Sequence, residues 1–421
     1  MRGASTSVVA AVRDSAPGRV ALSWWALVAL AAFLLREFSQ TAPAYRDDAT
    51  FLAIVVPAVI VWLLARRRIS ATELMAILAG AAAVFSDFQN SQGGALRDLH
   101  LYLNAGAAFV NGGHVYTTEV MRSYPTGGLE YLPFLYAPVT LPVFGALSLL
   151  PRELVDVAWV VGSVVAAIAC LRSFGLSWRW TFLALAWTPV EQGLFVGNVA
   201  IPSLLVMGLG LRYGGALVFG PLFKPQNGVV SLWLIRERAW RALAGGILAL
   251  GVLVVATLPL TGIGLWRDWL TGMAAYQESE GYLQGLYGVG LGRHFPMTVF
   301  LAIAAFTIVA ALAVRGREGL ARLGLASVVA SPSLWSHGYV FAIPAFLRLR
   351  AEWLWLVVGM LCVGQWPGPQ LSLAVGVAAW FVKGLARDPV SATSEPASRR
   401  PFHPLGSVPE PWPTVAERAR A

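Results

Sequence analysis

Long apolar segments alternate with short polar segments along most of the chain. Apolar windows of roughly 17 to 25 residues recur, and a helix of that length can cross a bilayer core of about 30 Å. The pattern predicts helical spans at 20–36, 50–65, 70–86, 131–150, 154–171, 179–192, 198–212, 214–235, 240–260, 296–314, 319–333, 338–347, 353–366 and 369–386. We therefore expect an all-α integral membrane protein of about 12 to 14 helices, with residues 1–386 forming one polytopic membrane domain.

The composition supports this prediction. Hydrophobic residues make up 57% of the chain, charged residues make up 13%, and the mean hydropathy is +0.65. A typical soluble domain carries about 25% charged residues, so the composition excludes an ordinary soluble fold.

The basic residues predict the orientation in the membrane. A formal net charge of +9 does not indicate a nucleic-acid partner here, because Lys and Arg lie in short clusters between apolar segments, where they set topology. The clusters are Arg66–Arg68, Arg236–Arg241, Arg315–Arg322 and Arg348–Arg350. Placing them inside puts the N-terminus in the cytoplasm and segments 87–130, 261–295 and 334–337 on the outer face. We expect a multi-pass plasma membrane protein in contact with membrane lipids.

The two ends of the chain differ in character. Arg2, Arg13 and Arg19 precede an apolar segment without a small-residue cleavage site, which favours a first transmembrane helix over a signal peptide. Residues 387–421 are polar and rich in Pro, which predicts a disordered cytoplasmic tail.

Asp98 is the first candidate functional residue. It lies in the polar segment 87–130, within Asp98-Leu99-His100-Leu101-Tyr102, and apolar residues at helical spacing predict an amphipathic helix in segment 95–116 along the outer interface. A carboxylate held near lipid is costly and is therefore a functional candidate. The alternative is a loop carboxylate paired with Arg97 or Arg122. His100 is open to the same two interpretations, functional or merely interfacial.

Two further polar side chains interrupt apolar segments. His337 lies in segment 331–337 with Trp335, at a helix end on the side of Asp98, although a structural interfacial histidine is also compatible with this position. Lys224 lies in an otherwise apolar stretch that is broken at 224–228, and such a break is tolerated where it lines a cavity. An intramembrane cation requires a charged partner, an anionic ligand or snorkelling to the interface, and a phosphate would satisfy it.

Several catalytic signatures are absent from the sequence. It has no GxxxxGK[ST], HExxH, CxxC or GxSxG motif, so nucleotide hydrolysis, zinc chemistry and serine hydrolysis have no support. We expect no metal and no cofactor. The aromatic and acidic residues of 261–295 suit either a sugar-binding surface or a solvated loop.

These segments together resemble glycosyltransferase family 87, the polyprenol-phosphate-mannose-dependent mannosyltransferases of the multispan GT-C architecture. The resemblance runs from about Asp98 to about Phe346. Its further elements are Gly113 and Tyr116, Glu130-Tyr131-Leu132-Pro133-Phe134, Phe223-Lys224-Pro225-Gln226, and Ser331-Pro332 with Trp335 and His337.

The resemblance implies a GT-C helical bundle with outer-face loops and interfacial helices. It implies an inverting transfer of mannose from a polyprenyl-phosphate donor to a lipid-anchored glycan, with Asp98 as the base on the acceptor hydroxyl. It also implies that donor and acceptor contacts come from His337, Lys224, Tyr102, His100, Tyr131, Glu130, Trp335 and Asn198.

The resemblance is incomplete at two points. Gly197-Asn198-Val199-Ala200 stands where the family commonly shows Gly-Gln-x-Asn, and two additional spans precede the segment of Asp98. The acceptor, or even the sugar, can therefore differ from those of the best-known members. A transporter or flippase of a lipid-linked or anionic substrate, and a structural membrane subunit, remain the alternatives.

Overall fold

A computed structural model describes residues 95–123, 133–176, 181, 184–185, 187–279, 290–332, 334–346 and 368–381. The α-helices are α1 Arg97–Val110, α2 Thr118–Arg122, α3 Leu141–Ser148, α4 Arg152–Ser173, α5 Thr188–Phe195, α6 Ala200–Gly210, α7 Leu232–Arg236, α8 Trp240–Gln277, α9 Met297–Leu312, α10 Gly316–Val329, α11 Ile343–Phe346 and α12 Gly368–Ala378. Short 3₁₀ helices cover Pro138–Thr140, Gly214–Leu222, Pro225–Ser231, Leu291–Arg293 and Ser336–Ala342. Within these described ranges the protein has no strand, which confirms the helical class.

Helices α4 and α8 are long and apolar enough to cross a membrane. Along α4, Val157, Val161 and Val165 repeat at intervals of four residues, and each is more than half exposed. Residues four apart share one face of a helix, so α4 presents an apolar stripe outward, as a helix facing lipid does.

Helix α8 departs from its predicted boundaries. The sequence predicts a span at 240–260 followed by an outer loop, whereas the chain remains helical to Gln277, so the first part of the predicted loop is helical. The helix is interrupted at Gly262, whose φ of 65° and ψ of 161° are not helical, three residues after Pro259. Proline removes a backbone donor and glycine adopts positive φ, and together they explain a break without an end.

The predicted span 214–235 is not one helix. It consists of two 3₁₀ segments and α7, with Lys224 in an extended conformation between the 3₁₀ segments. Pro221 lies inside the first segment and Pro225 begins the second. Because proline cannot donate the hydrogen bonds of a continuous α-helix, the predicted break at Lys224 is confirmed and has a local cause.

Small residues bring the buried helices close together. A Cβ at Gly208 of α6 would lie 2.8 Å from the Cα of Cys170 in α4, so only glycine permits this approach. Gly106 of α1 likewise lies against the backbone of Phe144 in α3, with no room for a side chain. Close packing of α1 on α3 and of α6 on α4 sets the positions of the candidate site.

Several predictions lie outside the described residues. They concern the first three spans, the span 353–366, Glu130 and Tyr131, residues 280–289 of the second outer loop, and the tail 387–421.

Candidate active site

The site begins where α1 is joined to the end of α5. The backbone N–H of Leu96 donates to the carbonyl of Phe195 at 2.7 Å, and the N–H of Asp98 donates to the carbonyl of Val196 at 2.8 Å. Leu96 adopts a left-handed conformation with φ 60°, which is uncommon for a leucine. Two hydrogen bonds to a second element hold this strained entry and fix the first turn of α1.

Gly197 permits the approach of α1. Its φ is 69°, and a Cβ there would lie 2.8 Å from the Cβ of Leu99. Its carbonyl accepts a 2.9 Å hydrogen bond from the indole Nε1 of Trp159 in α4. The glycine is therefore required both by backbone conformation and by space.

The Asp98 carboxylate has two side-chain partners. Asn198 Nδ2 donates to Oδ2 at 2.7 Å, and Arg97 Nε lies 3.4 Å from Oδ1. The Oδ1 atom of Asn198 accepts from the N–H of Ala200 at 2.9 Å, which orients the amide group of Asn198 toward Asp98. Asp98 is 8% exposed, so the carboxylate is buried and held from two sides.

The structure distinguishes between the two arginines predicted as alternative partners of Asp98. Arg97 pairs with Asp98, whereas Arg122 Nε lies 3.5 Å from Glu278 Oε2 in an ion pair that is more than half exposed. The alternative interpretation is thus right about the pairing with Arg97 and wrong about the loop, because Asp98 is a buried residue of α1.

Lys224 and His337 belong to the same neighbourhood. The charge of Lys224 interacts with that of Asp98, and His337 interacts electrostatically with Lys224 and Arg97. His337 is 4% exposed and packs against α5, where a Cβ at Gly193 would lie 3.2 Å from its own Cβ. Burial, with the two nearby cations, lowers the pKa of His337 well below its usual value. The imidazole is therefore neutral.

Tyr102 lies one turn after Asp98 on the same face of α1. Its hydroxyl is 3.1 Å from the hydroxyl of Tyr136, and both tyrosines interact electrostatically with Asp98. Burial raises the pKa of Tyr102 well above its usual value, so its hydroxyl remains protonated and can donate a hydrogen bond.

Tyr136 is a site residue that the sequence analysis missed. It follows the Pro133-Phe134 element of the resemblance by two residues, which was the available signal. Its backbone carbonyl accepts a 2.6 Å hydrogen bond from the Tyr116 hydroxyl, and its ring meets that of Tyr102 edge-on at a centroid distance of 5.2 Å. Tyr136 is thus fixed by both its backbone and its ring.

His100 is not brought to Asp98. Its Nε2 lies 3.1 Å from Oδ1 and 3.2 Å from Oδ2 of Asp156 in α4. Two positions along a helix is more than half a turn, so Asp98 and His100 point in different directions. This contact favours the interpretation of His100 as a residue that fixes α1 on α4.

Trp335, partly buried, lies two residues before His337.

The arrangement combines a buried carboxylate, two cations, a neutral imidazole and two phenols. A carboxylate can accept a proton, and cations can hold an anionic group as its charge grows. Among the described residues, no group of three or more His, Cys, Asp or Glu side chains could hold a metal ion.

Comparison with known proteins supports the resemblance found in the sequence. Residues 134–336, which include Asn198 and Lys224 and lie between Asp98 and His337, match Glycosyltransferase family 87. The chain is 23% identical over 319 residues to the polyprenol-phosphate-mannose-dependent alpha-(1-2)-phosphatidylinositol pentamannoside mannosyltransferase of Mycobacterium tuberculosis (strain CDC 1551 / Oshkosh), covering 67% of this chain and 73% of that relative.

A relative of the same description from Mycolicibacterium smegmatis (strain ATCC 700084 / mc(2)155) is 25% identical over 286 residues, covering 60% of this chain and 68% of the relative. No solved structure matches the chain significantly. The family match and the two relatives bear out the resemblance to glycosyltransferase family 87 that the sequence indicated, and they identify the chain as a glycosyltransferase.

Proposed function

We propose that this protein transfers mannose from a polyprenyl-phosphate carrier to a hydroxyl of a lipid-anchored glycan. The two relatives support the donor, because their names state polyprenol-phosphate-mannose dependence, and they support a phosphatidylinositol-based acceptor. An anionic polyprenyl-phosphate donor also suits a site in which two cations, Arg97 and Lys224, interact with one buried carboxylate, Asp98.

The proposed architecture is a multispan GT-C bundle in the plasma membrane, with residues 1–386 as one polytopic domain. The apolar stripe of α4 and the length of α8 support it. The site is proposed to open on the outer face, because the basic clusters 236–241 and 315–322 would lie in the cytoplasm by the positive-inside rule. Residues 387–421 are proposed as a cytoplasmic tail.

The observation that carries the mechanism is the Asp98 carboxylate, which is buried, oriented by Asn198 and in electrostatic interaction with Lys224. Asp98 takes the proton of the acceptor hydroxyl while the acceptor oxygen forms a bond to the anomeric carbon of the donor. The bond between that carbon and the phosphate oxygen breaks, and its electron pair leaves with the phosphate. Direct displacement from the opposite face converts a β-linked donor into an α-linked product.

The remaining residues are assigned by their contacts. Lys224 stabilises the charge that grows on the departing phosphate, and neutral His337 contacts the phosphate or the acceptor. Tyr102 and Tyr136 offer hydroxyl donors beside Asp98.

The other residues predicted from the resemblance have weaker or different support. Trp335, Glu130 and Tyr131 remain proposed sugar contacts. His100 is better explained by its pairing with Asp156, and Asn198 acts on Asp98 rather than on the substrate.

A transporter or flippase is not favoured. Both matched relatives are transferases, and the ionisable residues of the site converge on one carboxylate instead of forming a path through several spans.

The test is transfer by the purified protein from radiolabelled polyprenyl-phosphate-mannose to a membrane glycolipid extract. We expect a labelled lipid that an α-mannosidase, but not a β-mannosidase, releases. Release of the labelled mannose by β-mannosidase would contradict inversion. If the protein transferred no mannose but moved the lipid across the membrane of proteoliposomes, the flippase interpretation would replace the enzyme interpretation.

A further inference from the structure

Arg97 has no assigned role in the proposed mechanism, although it lies beside Asp98. It is the first residue of α1, its Nε is 3.4 Å from Asp98 Oδ1, and its side chain is 29% exposed. The N-terminus of a helix carries a partial positive charge, so a cation at this position is disfavoured by the helix dipole. Helix stability therefore does not explain an arginine here.

The charges of the described side chains around Arg97 do not balance. Arg97 and Lys224 both interact with His337, and Lys224 also interacts with Asp98. Among the side chains that the structure describes, two cations thus share one carboxylate, since Glu278 pairs with Arg122 and Asp156 contacts His100. One positive charge is left for an anion that enters the site.

We propose that Arg97 is the second cation of the phosphate site and binds the donor phosphate together with Lys224. This inference rests on the proposed function, because it takes a polyprenyl phosphodiester as the donor. The guanidinium is a planar fork with five N–H donors, which allows it to contact a carboxylate and a phosphate at the same time. Its partial exposure leaves it accessible to a ligand.

Charge conservation explains why two cations are needed. Before transfer, the monoanionic phosphodiester and the Asp98 carboxylate together balance Arg97 and Lys224. During transfer the acceptor proton moves to Asp98, the anomeric bond to phosphate oxygen breaks, and the carrier phosphate becomes a dianion. The same two cations then balance the dianion alone, so the site is neutral at both ends of the reaction. With Lys224 as the sole cation, the site would carry a net negative charge throughout.

The test measures ligand binding rather than activity. Farnesyl phosphate and farnesol differ only in the phosphate, and their dissociation constants are measured with the full-length protein in detergent. For Arg97→Gln we expect farnesyl phosphate to bind roughly 10- to 100-fold more weakly, because a charge-assisted contact is lost, with farnesol unchanged. Arg122→Gln is the matched control, since Arg122 pairs with Glu278 at an exposed position, and its binding should equal that of the wild type.

Two further outcomes separate this inference from the proposed function. If the wild type binds farnesyl phosphate and Arg97→Gln binds it equally well, Arg97 does not hold the phosphate, while the transferase proposal stands. If the wild type prefers neither ligand, the phosphate-linked donor and the role of Arg97 fall together.

A second variant covers the case in which Arg97→Gln does not fold. Arg97→Lys keeps the charge but loses the fork, and it should bind farnesyl phosphate with an intermediate dissociation constant. An unchanged constant for this variant would contradict a contact through the guanidinium fork.

Discussion

Asn198 and Asp98 are 100 positions apart in the chain, yet Asn198 Nδ2 donates a 2.7 Å hydrogen bond to Asp98 Oδ2. The backbone N–H of Ala200 fixes the amide of Asn198 from its other side. Asn198 is therefore a positioning residue for the proposed base, and its distance from a substrate hydroxyl is irrelevant to that role.

Replacing Asn198 tests this relationship. Asn198→Leu leaves a buried carboxylate oxygen without its donor, at a cost of about 1–3 kcal/mol, and frees the carboxylate to rotate. We expect kcat to fall roughly 10- to 100-fold while the KM for the donor changes little. Steady-state kinetics with the donor varied measures both constants. A raised KM with unchanged kcat would instead indicate that Asn198 contacts the donor.

Replacing Gly197 tests the close contact between α1 and the segment after α5. Gly197→Ala introduces a Cβ at positive φ and against Leu99, so we expect a loss of roughly 2–4 kcal/mol of stability, seen as lower thermal stability in detergent. Gly112→Ala is the control, because Gly112 also has positive φ, at +71°, but nothing lies within 4 Å of its Cβ position. Equal losses in the two variants would mean that space at Gly197 is unimportant.

The phenol pair should act as a unit. Tyr102 and Tyr136 hydroxyls lie 3.1 Å apart beside Asp98, so removing either disturbs the other. In a double-mutant cycle on kcat/KM with Tyr102→Phe and Tyr136→Phe, we expect a coupling energy of about 0.5–1.5 kcal/mol. Tyr102→Phe combined with Tyr213→Phe, at an exposed position, should show a coupling near zero. Simple additivity of the first pair would argue against a shared role.

The lowered pKa of His337 predicts that the stability of the protein depends on pH. Because its pKa is lowered in the folded protein, the unfolded chain binds the proton more readily, and stability falls as pH drops below the ordinary value of 6.5. The effect reaches at most about 1.4 kcal/mol per pH unit and fades as the pH rises more than about one unit above the ordinary pKa. Thermal unfolding between pH 7.5 and 5 measures it. We expect a flatter profile for His337→Gln than for wild type, whereas His114→Gln, at an exposed surface, should follow wild type.

Helix α4 and the break at Lys224 could be predicted from local sequence. The predicted span 154–171 lies within two residues of the observed helix Arg152–Ser173 at each end. The agreement is close because the long apolar segment after Pro151 contains no competing break. The break at Lys224 was visible because Pro225 follows a charged residue in an apolar stretch. Helix α1 was predicted from its apolar spacing for the same reason, namely that local periodicity determines it.

Contacts between distant residues could not be predicted. Nothing near His100 in sequence points to Asp156, which lies 56 positions away, so its pairing was not foreseen. The extension of α8 beyond residue 260 was missed because Pro259 and Gly262 usually end a helix, whereas here they only break it. Tyr136 was missed because its role depends on Tyr102 across the fold.

The measurement that tests the account most directly is mannose transfer by Asp98→Asn, with Asp156→Asn as the matched control. Asparagine keeps the size of the Asp98 side chain but cannot accept the acceptor proton, whereas Asp156 contacts His100 outside the site. We predict that Asp98→Asn loses at least about 99% of transfer, consistent with removal of a general base, while it still binds farnesyl phosphate. Asp156→Asn should retain most of its transfer activity. Undiminished transfer by a folded Asp98→Asn protein would contradict the account and assign the base to another residue.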